Sequence, residues 1–249
     1  MTESAPAEGG RRQRRHEATA EEIKQIARDL MAREGTSSLN LRAIARTMGL
    51  TPSALYRYFP SRDAILTALI VDAYDQIGET VEEAIAAAPV DPTSTAILAG
   101  VHAFRRWALE HPQEFALIYG PVVPGYEPPV YEQTPAAMRT GAALLGLLVR
   151  AMEQGLLQPP GDDSVPAALR PALVEVGQKE NTDLPVGATA LAMQFWVIVL
   201  GMLSAEVFGH LPRPLLTVSR EFFDLTVRQT LLAMGIDPVA VAAGVSPLD

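Results

Sequence analysis

Residues 39–62 read Leu-Asn-Leu-Arg-Ala-Ile-Ala-Arg-Thr-Met-Gly-Leu-Thr-Pro-Ser-Ala-Leu-Tyr-Arg-Tyr-Phe-Pro-Ser-Arg, a sequence dense in helix-start and helix-end signals. Asn40 is placed to cap a helix that begins at Leu41, because an asparagine side chain readily accepts the free amide hydrogens of a first helical turn. Apolar residues then recur at helical spacing on one face, and Gly49 stands where a left-handed cap can end the helix. The pattern predicts a short amphipathic helix that closes on a tight glycine turn.

A second short helix, about Pro52–Tyr58, is predicted directly after this turn. Thr51 can cap it, and a proline at its first position loses no amide hydrogen bond. Pro60 ends it, and Ser61 caps a third helix. Two helices that cross through a short turn can present the second to the major groove of DNA, so the stretch predicts a DNA-binding helix-turn-helix. Side chains that suit phosphates, base edges and thymine methyl groups are expected on its exposed face: Ser53, Ala54, Tyr56, Arg57 and Tyr58.

The distribution of charge supports DNA binding at this end of the chain. Residues 1–62 hold 11 Lys+Arg against 7 Asp+Glu, a net charge of +4, whereas residues 63–249 hold 9 against 22, a net charge of −13, which together give the −9 of the whole chain. Arg42 and Arg62 each fall in the first turn of a predicted helix, where the helix dipole disfavours a cation by roughly 0.3–1 kcal/mol. A bound phosphate would reverse that penalty, although Arg62 could instead pair with Asp63.

The N-terminal region is predicted to hold a first helix and an arm before it. Thr19-Ala-Glu-Glu22 has the form of a capping box, and Gly35 ends the apolar pattern that follows. Residues 1–17 are polar, include Arg11-Arg12-Gln13-Arg14-Arg15-His16, and lack the apolar centre of a secretory signal. We expect a disordered basic arm here, which either solvates the chain or adds minor-groove and phosphate contacts.

The remainder of the chain predicts further helices between proline-rich breaks, and no strand pattern of useful length occurs. The fold class expected is therefore all-α. The helices are expected at Arg62–Ala87, Thr93–Glu110, Pro112–Tyr119, Ala136–Gln154, Pro166–Gln178, Pro185–Phe208 and Pro214–Met234, with a loop rich in proline and aromatic residues at Gly120–Pro135.

The sequence offers no pattern for catalysis, a cofactor or a metal. It has no cysteine, and its four histidines are scattered, so neither a thiolate site nor a metal-ligand spacing is present. No HExxH, glycine-rich phosphate loop or Gly-x-Ser-x-Gly motif occurs. The adjacent Asp162 and Asp163 favour a helix-capping pair over a catalytic dyad. We therefore expect a protein that is not an enzyme and uses no cofactor.

A longer pattern surrounds the helix-turn-helix: Ala27, Leu30, Glu34-Gly35, Leu39-Asn40, Ile44-Ala45, Gly49-Leu50-Thr51, Leu55-Tyr-Arg-Tyr-Phe-Pro-Ser-Arg62 and Ile65-Leu66. Residues 18–66 thereby resemble the N-terminal domain of TetR-family transcriptional regulators. They depart from it at Asn40, where the family usually has Thr or Ser, and at Arg62, where it usually has Lys. The resemblance implies phosphate contacts by Asn40, Arg42, Thr51, Ser53, Tyr56 and Arg62, and contacts to bases or the groove wall by Pro52, Ala54, Arg57 and Tyr58.

The segment Trp107-Ala-Leu-Glu-His-Pro-Gln-Glu-Phe-Ala-Leu-Ile-Tyr-Gly120 resembles the C-terminal ligand-binding domain of one TetR subgroup, called the WHG type. Aromatic side chains cluster around this segment, methionines could form an adaptable wall, and Gln194 stands alone in an apolar helix. Each could equally be a core residue, and Gln194 a subunit contact. The candidate ligand-binding residues are Phe104, Trp107, Phe115, Tyr119, Tyr126, Tyr131, Met138, Met193 and Gln194.

Residues 186–205 carry no charge and could be mistaken for a membrane span. Their flanks, Asp183 and Glu206, lack a positive bias, and small residues along the helix allow close packing, so we expect a subunit interface and no membrane. The resemblance implies that the helices near 185–208 and 214–234 pair with their copies in a homodimer.

These expectations combine into a domain plan: a basic arm at 1–17, a three-helix DNA-binding domain at 18–64, and a helical bundle for ligand binding and dimerisation at 65–249. The function expected is that of a cytoplasmic repressor, released from a palindromic double-stranded DNA operator by a small apolar or aromatic molecule. Two alternatives stay open. One is a ligand-independent or activating DNA binder, and the other is a helical ligand-binding scaffold without specific DNA readout.

Overall fold

The structure is a computed structural model that describes residues 6–35, 39–90, 92–121, 123, 125–127, 135–179 and 184–236. Within those ranges the secondary structure is helical throughout, which confirms the predicted all-α class. The helices are α1 (Pro6–Glu34), α2 (Leu41–Thr47), α3 (Pro52–Leu55), α4 (Arg62–Ala87), α5 (Thr93–Glu110), α6 (Pro112–Tyr119), α7 (Pro135–Glu153), α8 (Arg170–Lys179), α9 (Val186–Val207), α10 (Arg213–Leu216) and α11 (Ser219–Ala233).

The helix caps around the helix-turn-helix are those that the sequence predicts. The Asn40 side chain accepts a hydrogen bond from the Ala43 amide at 2.7 Å, and the Thr51 hydroxyl accepts one from Ala54 at 3.3 Å. Gly49 has a φ of +65°, in the left-handed region that favours glycine. Ile23, Ala27, Ile44, Leu55 and Ile65 are each fully buried and form the small core that α1 to α4 share. The regular part of α3 is shorter than predicted, because the chain turns after Leu55.

The N-terminus differs from the prediction. Residues 6–17, expected to be a disordered arm, form the beginning of α1, while residues 1–5 lie outside the described ranges. Thr19 therefore lies inside a helix, and its hydroxyl donates to the Arg15 carbonyl at 3.0 Å instead of capping. Arginine, glutamine and glutamate are good helix formers, and a helix already nucleated by buried residues extends through them readily.

The described residues divide into two compact units. The first holds residues up to Ala73 together with residues 113–129. Thus α6 packs with the DNA-binding helices: Arg28 of α1 bonds Asp72 of α4 at 2.7 Å and lies 3.9 Å from Glu114 of α6. The hydroxyls of Thr67 and Tyr126 also share a hydrogen bond of 2.9 Å. The first unit therefore includes α6, which begins at Pro112 after α5 ends at Glu110.

The second unit holds residues 74–112 and the described part of 130–249. Here most residues of α5 are buried, and α9 buries Phe195, Val199 and Leu203. Asp162, in a short turn of 3-10 helix, accepts the Gly187 amide of the first turn of α9 at 3.0 Å, which confirms its predicted capping role.

Among the described helices, α9 is the one that is long and apolar enough to cross a membrane. Length and composition are weak evidence, because a core helix of a globular protein passes the same test. Its residues divide by face: Val199 and Leu203 are buried, whereas Gln194, Val197, Ile198 and Gly201 are exposed. Those four positions fall on one side of the helix, as a surface covered by a partner would require.

Candidate DNA interface and ligand cavity

The second helix of the helix-turn-helix turns its predicted contact residues outward. Leu55 is fully buried and anchors α3, while Ser53, Tyr56 and Arg57 are exposed and Ala54 and Tyr58 are half-buried. Thr51 and Pro52, at the start of α3, are exposed as well. These side chains offer hydroxyl, guanidinium and small apolar groups, the chemistry that reads phosphates and base edges.

The helix starts that face outward carry no competing carboxylate. Neither α2 nor α3 has an acidic residue in its first turn, and Arg42 is exposed in the first turn of α2. The free amides and the positive end of each helix dipole therefore remain available to an anion. Asn40 is expected to contact phosphate, and its side-chain oxygen accepts the Ala43 amide, so a side-chain contact to phosphate would come from its NH₂ group.

Arg62 has a structural role besides its predicted one. Its Nε donates to the Leu39 carbonyl at 3.1 Å and ties the start of α4 to the chain before α2. The same guanidinium lies 3.8 Å from the Asp63 carboxylate, and its side chain is 26% exposed. A guanidinium has five donors, so one arginine side chain can hold a structural contact and a phosphate together.

The predicted aromatic residues are divided between the two compact units. Phe104 and Trp107 are buried on α5 in the second unit, whereas Phe115, Tyr119 and Tyr126 belong to the first. The rings of Phe115 and Tyr119 pack 5.1 Å apart. The indole N–H of Trp107 is buried and donates to none of the described residues. Tyr131 lies outside the described ranges.

A cavity of about 360 Å³ lies instead within the second unit, between α7, α8 and α9. Met138 and Met193 line it, as the sequence predicts for a ligand site, whereas Gln194 is exposed on α9. Its polar members, Glu175 and Lys179, form an ion pair of 3.1 Å one helical turn apart. The full lining is Met138, Gly141, Leu144, Leu145, Leu148, Ala172, Glu175, Val176, Lys179, Ala192, Met193, Phe195, Trp196 and Val199.

Comparison with known proteins agrees with both parts of the structure. The family model for "Bacterial regulatory proteins, tetR family" matches residues 23–69, and that for "Tetracyclin repressor-like, C-terminal domain" matches residues 97–230. The chain belongs to the TetR family. It is thus a DNA-binding transcriptional regulator, with a helix-turn-helix domain followed by a helical domain.

Individual TetR-family relatives cover most of the chain. The HTH-type transcriptional regulator Rv1816 of Mycobacterium tuberculosis is 32% identical over 219 residues, 88% of this chain and 93% of that protein. The crystal structure of the regulatory protein SCO4313 superposes with a TM-score of 0.70 at 31% identity, covering 88% of this chain and 98% of the other. RolR, crystallised with its ligand resorcinol, shares the fold with a TM-score of 0.52 at 16% identity, covering 95% of this chain and 98% of the other.

In this TetR-family protein α7 contacts both the cavity and α4. Met138 lines the cavity, and its neighbour Arg139 bonds Asp75 at 3.0 Å and Glu82 at 2.6 Å, both on α4. Hydrogen bonding from Arg139 lowers the pKa of the Glu82 carboxyl, so the pair is ionised at neutral pH. At Gly78 an added Cβ would lie 2.9 Å from the Arg139 Cβ, so the two helices approach closely.

Several cavity residues carry no local sequence signal. Leu144, Leu148 and Val176 belong to ordinary apolar stripes, and their shared cavity depends on how α7 and α8 pack. Trp196 could have been predicted as a ligand-site residue. It is one of two tryptophans in the chain, and like Trp107 it offers a large ring with one polar group. Phe104, predicted as a ligand contact, stacks on Trp196 with ring centroids 5.8 Å apart and supports that wall of the cavity.

Proposed function

We propose that this TetR-family regulator is a cytoplasmic, homodimeric repressor that leaves a palindromic operator when a small, largely apolar molecule occupies the cavity between α7, α8 and α9. The observation that carries the proposal is the cavity itself. Its volume of about 360 Å³ falls within the range of ligand sites, roughly 300–1,000 Å³.

The lining indicates the chemistry of the effector. Eleven of the side chains around the cavity are apolar, among them Phe195 and Trp196, so burial of an apolar or aromatic body supplies the affinity. Glu175 and Lys179 stand at one side and can orient a hydroxyl or similar polar group. An uncharged ligand fits best, since residues 63–249 carry 9 basic against 22 acidic groups and would repel a strong anion.

Ligand occupancy would reach the DNA-binding domain through α7 and α4. A molecule against Met138 displaces the turn of α7 that holds Arg139, and Arg139 is bonded to Asp75 and Glu82 of α4. The same α4 begins at Arg62 beside the helix-turn-helix. To change the ratio of operator-bound to released protein from 99:1 to 1:99, the ligand must prefer the released state by ~10⁴-fold, about 5.5 kcal/mol.

The first test is selection of binding sites from random duplex DNA by the full chain. A two-fold dimer of DNA-binding domains predicts an enriched palindrome, with half-sites roughly one helical turn or a multiple apart, ~34–36 Å. Enrichment of an asymmetric site, or of none, would contradict the proposed operator geometry.

The second test fills the cavity. Ala172 is exposed on α8 and lines the cavity, so Ala172→Trp should occupy it without disturbing the buried core. We expect a panel of neutral aromatic compounds, resorcinol among them, to release the parent from the selected operator but not this variant. Operator affinity without ligand should stay within about threefold. Ala142→Trp, on an exposed position of α7, is the matched control and should respond as the parent does. Equal release of the parent and Ala172→Trp would place the ligand elsewhere, and no release of the parent would favour a ligand-independent DNA binder.

A further inference from the structure

The first part of α1 carries a basic surface that the helix-turn-helix alone does not include. Arg11, Arg12, Arg14 and Arg15 are all exposed, with Glu17 the one carboxylate among residues 10–17. No ion pair between described residues involves the side chains of Arg12, Arg14 or Arg15. At about 100° per residue the four arginines cover roughly half of the helix circumference, so the direction in which this segment is held decides how many of them can face DNA.

A ring contact holds this surface against the DNA-binding domain. The His16 imidazole stacks on the Tyr58 ring, with centroids 4.5 Å apart and planes inclined by 28°. His16 lies seven residues before the fully buried Ile23, so both fall on the same face of α1, and His16 itself is exposed beside the Tyr58 ring. Tyr58 lies three residues after Leu55, the last residue of α3. The basic segment is thus held to the DNA-binding domain in two ways, by the continuous helix α1 and by the stack on Tyr58.

We propose that residues 11–16 form a second DNA-contacting surface, which binds phosphates just outside the half-site that α3 reads, and that the His16–Tyr58 stack sets its direction. The proposal rests on DNA binding through α3 and is independent of ligand release. From His16 to Arg11 the helix rises about 8 Å, the length of two to three base pairs, and the arginine side chains extend further. Tyr58, expected at the groove wall, then acts also as an anchor.

The test compares two duplexes that carry the selected operator, one ending at the half-site edges and one with six further base pairs on each side. The parent should bind the longer duplex several-fold more tightly and with a steeper salt dependence. The variant R11Q/R12Q/R14Q/R15Q keeps good helix formers and should lose this preference for length. Removing a single phosphate interaction from each protomer lowers the salt slope of the dimer by about 2. On the short duplex both proteins should bind alike, which separates loss of this surface from loss of DNA binding through α3.

Two controls make the outcome decisive. R106Q/R213Q removes exposed arginines from α5 and α10 and should leave the length preference intact. His16→Ala should abolish the preference although all four arginines remain, and His16→Phe should restore it because a ring can stack again. If the fourfold variant keeps the preference for length, or the R106Q/R213Q control loses it equally, the proposed surface is overturned. If His16→Ala behaves as the parent does, the stack does not direct the segment. If selection yields no operator, the salt dependence of binding can still be measured for all variants on a 40-base-pair duplex of arbitrary sequence.

Discussion

Arg57 and Arg62 differ in what already holds each side chain. Arg57 is exposed, whereas Arg62 donates to the Leu39 carbonyl at 3.1 Å. Arg57→Ala should therefore cost about 1–3 kcal/mol of operator binding and relax base preference at one position, with random DNA bound as before. Arg62→Ala should weaken binding to every sequence and flatten the salt slope by about one unit. It should also lower the stability of the domain, by about 0.5–1.5 kcal/mol, because the Leu39 carbonyl loses its donor.

Binding titrations on operator and random duplex, with thermal unfolding of each variant, measure these differences. Arg62→Lys is the control, since it keeps the charge but not the planar fork, and should restore the salt slope more than the stability. An equal loss of affinity for operator and random DNA in Arg57→Ala would mean that Arg57 contacts phosphate.

His102 links stability to pH in the second unit. Burial lowers the pKa of the imidazole, although its Nε2 lies 3.1 Å from the Asp224 carboxylate, and Arg105 and Arg220 add to the lowering. A histidine with a depressed folded-state pKa contributes stability above its unfolded pKa of about 6.5, which is lost as pH falls toward the folded value. Between pH 7.5 and 5 the free energy of unfolding of the parent should therefore fall more than that of His102→Gln. Urea titrations at several pH values measure the free energy of unfolding of each protein. Parallel plots of that free energy against pH for the parent and His102→Gln would contradict the prediction.

At the scale of elements, α7 is the part that can transmit ligand binding. Arg139→Met removes the bonds from α7 to Asp75 and Glu82 while keeping an apolar stem beside Gly78. The variant should still bind the aromatic effector in the cavity but need at least about tenfold more of it for half-release from the operator, because α4 no longer follows α7. Arg150→Met, which on the same helix removes a bond to the Val90 carbonyl, should respond as the parent does. Unchanged release by Arg139→Met would mean that another contact carries the coupling.

Helix starts were predictable from the sequence because capping is local. Asn40, Thr51 and Ser61 each accept the amide three residues ahead, as their positions predict. The beginning of α1 could not be predicted in this way. The capping-box pattern at Thr19 is equally compatible with a helix interior, where the Thr19 hydroxyl bonds a carbonyl of the preceding turn. A local capping pattern predicts where a helix can start, but it does not show whether the helix begins earlier in the chain.

The candidate ligand cavity was predictable only in part because it depends on packing between distant segments. Phe104 and Phe115 lie on consecutive helices, α5 and α6, yet they belong to different units. Met138 and Met193 were predicted and line the cavity, while Leu148 and Val176 join them through the packing of α7 and α8. Residue type identified the chemistry of the site, but its location required the arrangement of three helices.

At the scale of the whole molecule, the proposed homodimer requires a surface that joins two copies of the chain. Exposed apolar residues gather on the two helices predicted to pair. Val197 of α9 is 65% exposed and Ile198 38%, beside the exposed Gly201. Near and along α11, Val218, Leu225 and Leu232 are 44%, 50% and 40% exposed and recur every seven residues. A stripe of this spacing on each helix suits antiparallel or crossed packing against its copy. Gln194, exposed on the same face of α9, then becomes a subunit contact in place of a ligand contact.

A charge on this face should separate the protomers without unfolding them. Val197→Glu or Leu225→Glu would place an unpaired carboxylate in a desolvated interface, at a cost of several kcal/mol to dimerisation but little to the isolated protomer, where both positions are exposed. Sedimentation velocity should show a monomer with parental helicity by circular dichroism. Operator affinity should fall steeply, since the two half-sites no longer bind as one unit. Val199→Glu is the contrasting variant: Val199 is 1% exposed, so a carboxylate there should unfold the protomer itself. A folded dimer from both Val197→Glu and Leu225→Glu would move the interface to another surface of the second unit.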